Sequence, residues 1–271
     1  MSKWIMRALV VALLVATGFV AAPSAEHWWG GYHWARESNT FTLKVGDKVS
    51  SGWDPYLIEA LSDWSQSSVL DLQKTGGKGN GCQPQAGMIL ACAARYGSNG
   101  WLGIAQVWVT EGVHITQSII RMNDTYFVTS LYNKPEWKRM VMCQEIAHAF
   151  GLDHQDEIFD NTNLGSCMDY TSNPLGPPSN EHPGGLVDND YAQIEMIYGS
   201  HLDNTTTVAK SSLPKSMPPA MGQISFDTPA QWGRLVRTNA NGRAQVYELD
   251  FSRGHKVITH VFWADPIADA Q

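Results

Sequence analysis

An α+β fold is predicted for this chain on three observations. The first half carries a run of short segments in which apolar and polar residues alternate with period two, the mark of half-buried strands. One early stretch and two later ones repeat their apolar residues at helical spacing instead. Near the C-terminus, residues 245–251 and 256–262 alternate around Ser252-Arg253-Gly254, which reads as a hairpin.

Each element follows from local pattern. Residues 27–36 are dense in Trp, His and Gly and read as an extended lead-in, with His27 and His33 packed or exposed rather than metal-bound. Phe41-Thr42-Leu43-Lys44-Val45 alternates strictly and is expected as the first strand. Trp53, Tyr56, Leu57, Ala60, Leu61 and Trp64 keep helical spacing, and Asp54-Pro55 marks that helix start. Residues 69–73 give a second strand. The glycine-rich stretch 76–81 has neither the Lys-Ser/Thr of a phosphate-binding loop nor a following helix, so it reads as surface loop. Strands are expected again at 88–95, 103–109 and 113–122. Asn133-Lys134-Pro135 opens a helix, with proline at the first turn where its missing N–H costs nothing. Trp137 and Val141 lie on roughly the stripe of that helix that carries Glu145 and His148. The Asn- and Asp-rich stretch up to Met168 and the Pro/Gly-rich stretch 173–185 read as irregular, and Asp156-Glu157 as a solvated acidic loop. Tyr191, Ile194, Ile197 and Tyr198 give a helix over 188–198, stopped by Gly199. Residues 201–223 are read as a linker and 224–271 as a small C-terminal β extension. A lone hairpin is marginal in water, so the extension is expected to pack back on the main domain or to meet a partner.

Composition narrows the function classes. The formal net charge of −7 over 271 residues leaves no electrostatic footprint for nucleic acid. Lys3 and Arg7 precede an apolar run over 8–20 and small residues ending in Ala22 or Ala25, the layout of a secretory signal over 1–25. That run is shorter than the ~20 residues a membrane span needs. No other stretch is apolar enough, so no span is expected after signal removal, and the chain is expected in the periplasm or outside the cell. Four cysteines in an exported chain read as two disulfides, with three pairings open and buried free thiols as the alternative. Cys82 and Cys92 flank a loop leading into a strand and form the natural local pair.

The stretch 141–154 reads V-M-C-Q-E-I-A-H-A-F-G-L-D-H. Residues four apart share a helix face, so Gln144 and His148 project side by side, with Glu145 turned slightly away. Gly151 is suited to stop the helix, and His154 can then return to the same point. Two imidazoles and an amide oxygen would converge beside a carboxylate. The stretch resembles the extended zinc signature of the metzincin metalloproteases, H-E-x-x-H-x-x-G-x-x-H with a downstream methionine turn. Gln144 stands in place of the first histidine, and H-A-F-G-L-D-H is most similar to the matrixin branch. Cys167-Met168-Asp169-Tyr170 matches the methionine turn.

The resemblance covers about 41–199 and carries expectations with it. They are a metzincin-like catalytic domain over 26–200, built on a twisted mixed sheet, an active-site helix and a C-terminal helix. Zinc would be held by Gln144, His148 and His154, with Glu145 as general base, Tyr170 assisting at the oxyanion and Met168 beneath the metal. Calcium binding at Asp156-Glu157 is the alternative to a solvated loop there, and structural calcium follows from no motif here. The strand before the zinc helix is expected as an open edge that takes an extended polypeptide through Val113, His114, Ile115 and Thr116, with His114 structural rather than a ligand. If the site assembles, Cys143 and Cys167 come close enough for a bridge tying the helix to the turn. No cysteine-switch segment of the matrixin type is present, so latency is expected to come from elsewhere. An amide oxygen binds zinc more weakly than imidazole, and two outcomes follow. One is a secreted zinc endopeptidase, the other a module that grips peptides without cleaving them. A third reading, an exported structural protein assembled through its hairpin, rests on the extension alone.

Overall fold

The computed structural model describes residues 29–264, apart from 80, 186–188, 209, 211, 223–225 and 239–241. The expected signal segment and His27 lie outside the described residues. The strands are β1 (His33–Trp34), β2 (Phe41–Lys48), β3 (Leu70–Gly76), β4 (Met88–Ala94), β5 (Trp101–Thr110), β6 (His114–Asn123), β7 (Arg234–Thr238), β8 (Ala244–Asp250) and β9 (Lys256–Trp263). The α-helices are α1 (Asp54–Trp64), α2 (Pro135–His148) and α3 (Asp190–Tyr198). All the expected elements are present within a few residues, and two strands, β1 and β7, are additional.

The strands form one mixed sheet in the order β3-β2-β4-β6-β5-β9-β8-β7, with β1 beside the start of β6. Strands β3, β2, β4 and β6 run parallel, and each pair from β6 through β5, β9 and β8 to β7 is antiparallel. A parallel neighbour needs a crossover, which α1 supplies between β2 and β3. The hairpin of the extension therefore does not stand alone. It continues the main sheet, with Ile104 opposite Val261 and Val246 opposite His260.

This order corrects the expected edge. Strand β6, which begins with His114, Ile115 and Thr116 just after Val113, lies inside the sheet between β4 and β5. Its Thr116 hydroxyl donates to the Trp108 carbonyl of β5 at 3.3 Å. The boundary strand of the first half is β5, and β9 pairs along it.

Both faces of the central strands are covered. On one, Leu102, Ala105, Val107 and Ile120 join Val141 and Ile146 of α2 in the main core. On the other, Trp101, Ile104, Trp108 and Ile119 pack with Met221, Phe226 and Trp232. The end of the stretch read as linker and the start of the extension thus supply a lid: Trp108 Nε1 donates to the Met221 carbonyl at 3.0 Å, and Gln106 Nε2 to that of Phe226 at 3.0 Å. Burial on both faces explains why β5 shows no exposed residue.

Helix α2 starts at Pro135 and is buried continuously from Met140 to His148. Trp64 Nε1 donates to the Cys143 carbonyl at 3.0 Å, fixing α1 against it. The Tyr198 hydroxyl of α3 donates to the Phe150 carbonyl at 2.6 Å. Disulfides join Cys82 to Cys92 and Cys143 to Cys167. Two disulfides suit an oxidising compartment, and no described helix is long and apolar enough to cross a membrane.

Candidate metal centre

The last turn of α2 presents Gln144, Glu145 and His148, and the chain then reverses at Gly151. Its φ is +108°, and a Cβ there would lie 2.4 Å from the Tyr32 carbonyl oxygen. Only glycine fits both demands, and the reversal returns His154 to the helix. His148 Nε2 and His154 Nε2 meet at 3.0 Å. His148 Nδ1 donates to the Leu152 carbonyl at 2.8 Å, which leaves Nε2 of the neutral ring as the lone-pair nitrogen.

Gln144 is oriented by the turn that follows. Its Nε2 donates to the Cys167 carbonyl at 2.8 Å, and its Oε1 is buried with no hydrogen-bond partner among the described residues. A buried amide oxygen without a donor is costly. Both oxygens of Glu145 are in the same condition, and burial pushes that carboxyl well above the ordinary carboxylate range. The orphaned amide oxygen and the paired imidazoles are the observations that fit a metal. Bonds of about 2.0–2.1 Å around tetrahedral zinc would set ligand atoms about 3.3 Å apart.

The Cys167-to-Tyr170 turn packs against these residues. Met168 is fully buried, and its carbonyl accepts from Gln155 N at 2.7 Å. The Tyr170 ring stands edge-on to His154 with centroids 4.6 Å apart. Burial pushes the Tyr170 hydroxyl well above its usual range, with Glu145 and Glu157 adding to the effect. Asp169 is pushed up to about 6 by burial, against donors from Leu164 and Asn180.

Three contributors escaped the sequence reading. Gly103 of β5 makes room for the base, since a Cβ there would lie 2.5 Å from Glu145 Oε1. His260 of β9 stacks on His148 with centroids 4.3 Å apart, and burial holds it well below its usual pKa, with the Arg237 guanidinium acting in the same direction. Arg237 of β7 pairs with Asp153 and, at 2.9 Å, with Glu157. The acidic loop is thus neutralised from within rather than by solvent alone. One signal for His260 was available: it interrupts an otherwise apolar inward row of β9.

Strand β9 closes the centre. The Tyr170 hydroxyl donates to the Val261 carbonyl at 2.6 Å, and Phe262 stacks on the Tyr170 ring at 4.6 Å. No residue among Gln144, Glu145, His148, His154 and Tyr170 is more than 6 % exposed. A hollow of about 410 Å³ beside Cys82, Tyr96 and Arg121 touches none of them. The expected peptide-binding residues Val113 to Thr116 are not part of this centre. No family model matches the chain, and no curated protein matches it.

Proposed function

We propose that this chain is a zinc-dependent endopeptidase held closed by its own C-terminal strand. What supports the reading is that His148 Nε2 and His154 Nε2 meet at 3.0 Å, while Gln144 Oε1 and both Glu145 carboxyl oxygens, on the same helix as His148, are buried without a hydrogen-bond partner among the described residues. Gln144, His148 and His154 would hold the ion. Bound zinc would supply Lewis acidity toward a peptide carbonyl and a water. Glu145 is the residue that would accept a proton from the attacking water and return it to the leaving amine. Tyr170, which already holds a peptide carbonyl, donates to the oxyanion. Substrate would take the place of β9 along β5, as an added antiparallel strand.

The test is zinc content and peptide cleavage of the purified chain, before and after chelation and before and after limited proteolysis between α3 and β7. Cleavage should need zinc, rise once the strand is released, and vanish in Glu145→Gln with zinc retained. A second reading, a module that binds peptides without cleaving them, is favoured by one feature: β5 holds a strand with the centre fully covered. That reading stands if the zinc-loaded, opened chain binds a broad peptide library and cleaves none of it, while Gln144→His cleaves it.

A further inference from the structure

A second cluster of ligand-type side chains lies away from this centre. His33 of β1, His201 and Asp203 each offer one ligand atom within 4.8 Å of the others. His33 Nε2 lies 3.3 Å from Asp203 Oδ1 and 3.5 Å from His201 Nε2, and His201 Nε2 lies 3.9 Å from the same oxygen. His114, at the start of β6, brings its Nε2 to 3.3 Å from that oxygen too. These separations are close to the edge of about 3.3 Å expected between ligand atoms around tetrahedral zinc.

The surroundings aim these atoms at one another. Asp203 Oδ2 accepts from Arg36 N at 3.1 Å and Arg36 Nη1 at 3.0 Å, which turns Oδ1 toward the rings. His33 Nδ1 is 2.7 Å from the Gly31 carbonyl and donates to it, leaving Nε2 with the lone pair in the neutral ring. A lone-pair nitrogen facing a carboxylate oxygen and another ring nitrogen is repulsive without a cation between them. Protonating several rings instead would crowd positive charge beside Arg36. Two imidazole nitrogens and one carboxylate oxygen within this reach are donors of the type zinc takes.

We propose that His33, His201 and Asp203 hold a second zinc ion, with His114 Nε2 beside Asp203 Oδ1 at its edge. The ion would act as a clasp. It would fasten β1 to the chain after α3, segments about 170 residues apart in sequence. Val113 O and Asp203 N already make backbone bonds to His33 and Arg36 in the same place, at 3.1 and 2.9 Å.

The experiment counts zinc per chain after loading and desalting, and follows the thermal midpoint with and without added zinc. Wild type should hold two ions, His201→Ala one, the pair His148→Ala/His154→Ala one, and all three changes together none. His201 is 46 % exposed in its side chain, so its loss leaves the core intact. His33→Ala serves as a second variant. Zinc should raise the thermal midpoint of His148→Ala/His154→Ala, and adding His201→Ala should abolish that rise. The inference is overturned if His148→Ala/His154→Ala holds no zinc, or if its single ion survives the further loss of both His33 and His201. A wild type with one ion that is lost in His201→Ala but kept without His148 and His154 would instead uphold this site and sink the endopeptidase reading.

Discussion

Replacing Tyr170 with phenylalanine should loosen the closing strand without disturbing the rest of the fold. The hydroxyl donates to the Val261 carbonyl at 2.6 Å in a buried setting. Its loss removes a neutral hydrogen bond and leaves that carbonyl without its donor, together worth about 1–3 kcal/mol. The ring itself stays stacked on Phe262 and edge-on to His154, so packing is retained. If β9 opens as a unit of its own, that energy converts to a rise of roughly 5- to 150-fold in its opening equilibrium, at about 1.4 kcal/mol per decade. Amide hydrogen exchange of the zinc-free protein reads this directly. Backbone amides of β9 should exchange faster by that factor while those of α1 keep their rates. Equal acceleration in β9 and α1, or none in β9, would refute the view that this hydroxyl latches a separately opening strand.

Three further outcomes are expected. Gly103→Ala places a methyl 2.5 Å from Glu145 Oε1 and 2.7 Å from Val141 Cγ1, and should lower stability by about 1–3 kcal/mol, seen by calorimetry. Replacing Cys143 and Cys167 together by alanine opens a loop spanning 24 residues. This should cost about 3 kcal/mol in guanidinium unfolding, and weaken zinc binding because the Cys167 carbonyl that orients Gln144 is freed. Asp169 has its pKa raised from 3.8 to about 6, so the folded state binds its proton more tightly. The stability it contributes is full below about pH 4 and lost as pH rises through about 6, up to about 3 kcal/mol. Asp169→Asn should flatten this component when urea midpoints are compared at pH 4 and pH 7.

Much of this was legible because it is local. The alternation at Phe41 to Val45, the helical spacing of Trp53 to Trp64 and Pro135 at a helix start all appear as read. The return of His154 to His148 follows from four-residue spacing and one glycine, and needs no long-range information. Spatial neighbours are another matter. Periodicity reports burial, and β5 and β6 are both buried along nearly their whole length, so nothing in their patterns says which one borders the first-half strands. Strand β7 is largely exposed and polar and shows no apolar alternation. His33, His201 and Asp203 come from opposite ends of the chain, where no spacing rule can connect them.

The pairing of β9 on β5 also dictates the order in which this molecule can finish folding. Gln106 of β5 bonds Thr259 of β9 across 153 residues. Contacts so distant in sequence form slowly, because the loop must close before the contact returns any energy. Until then β5 presents an apolar ribbon with one row of unmet N–H and C=O groups, the shape that recruits strands from other chains. A chain still being synthesised is in that condition until β9 is available to pair. Yield should therefore depend on how fast β9 becomes available, and a product stopped before Lys256 should sediment as larger species than the full chain.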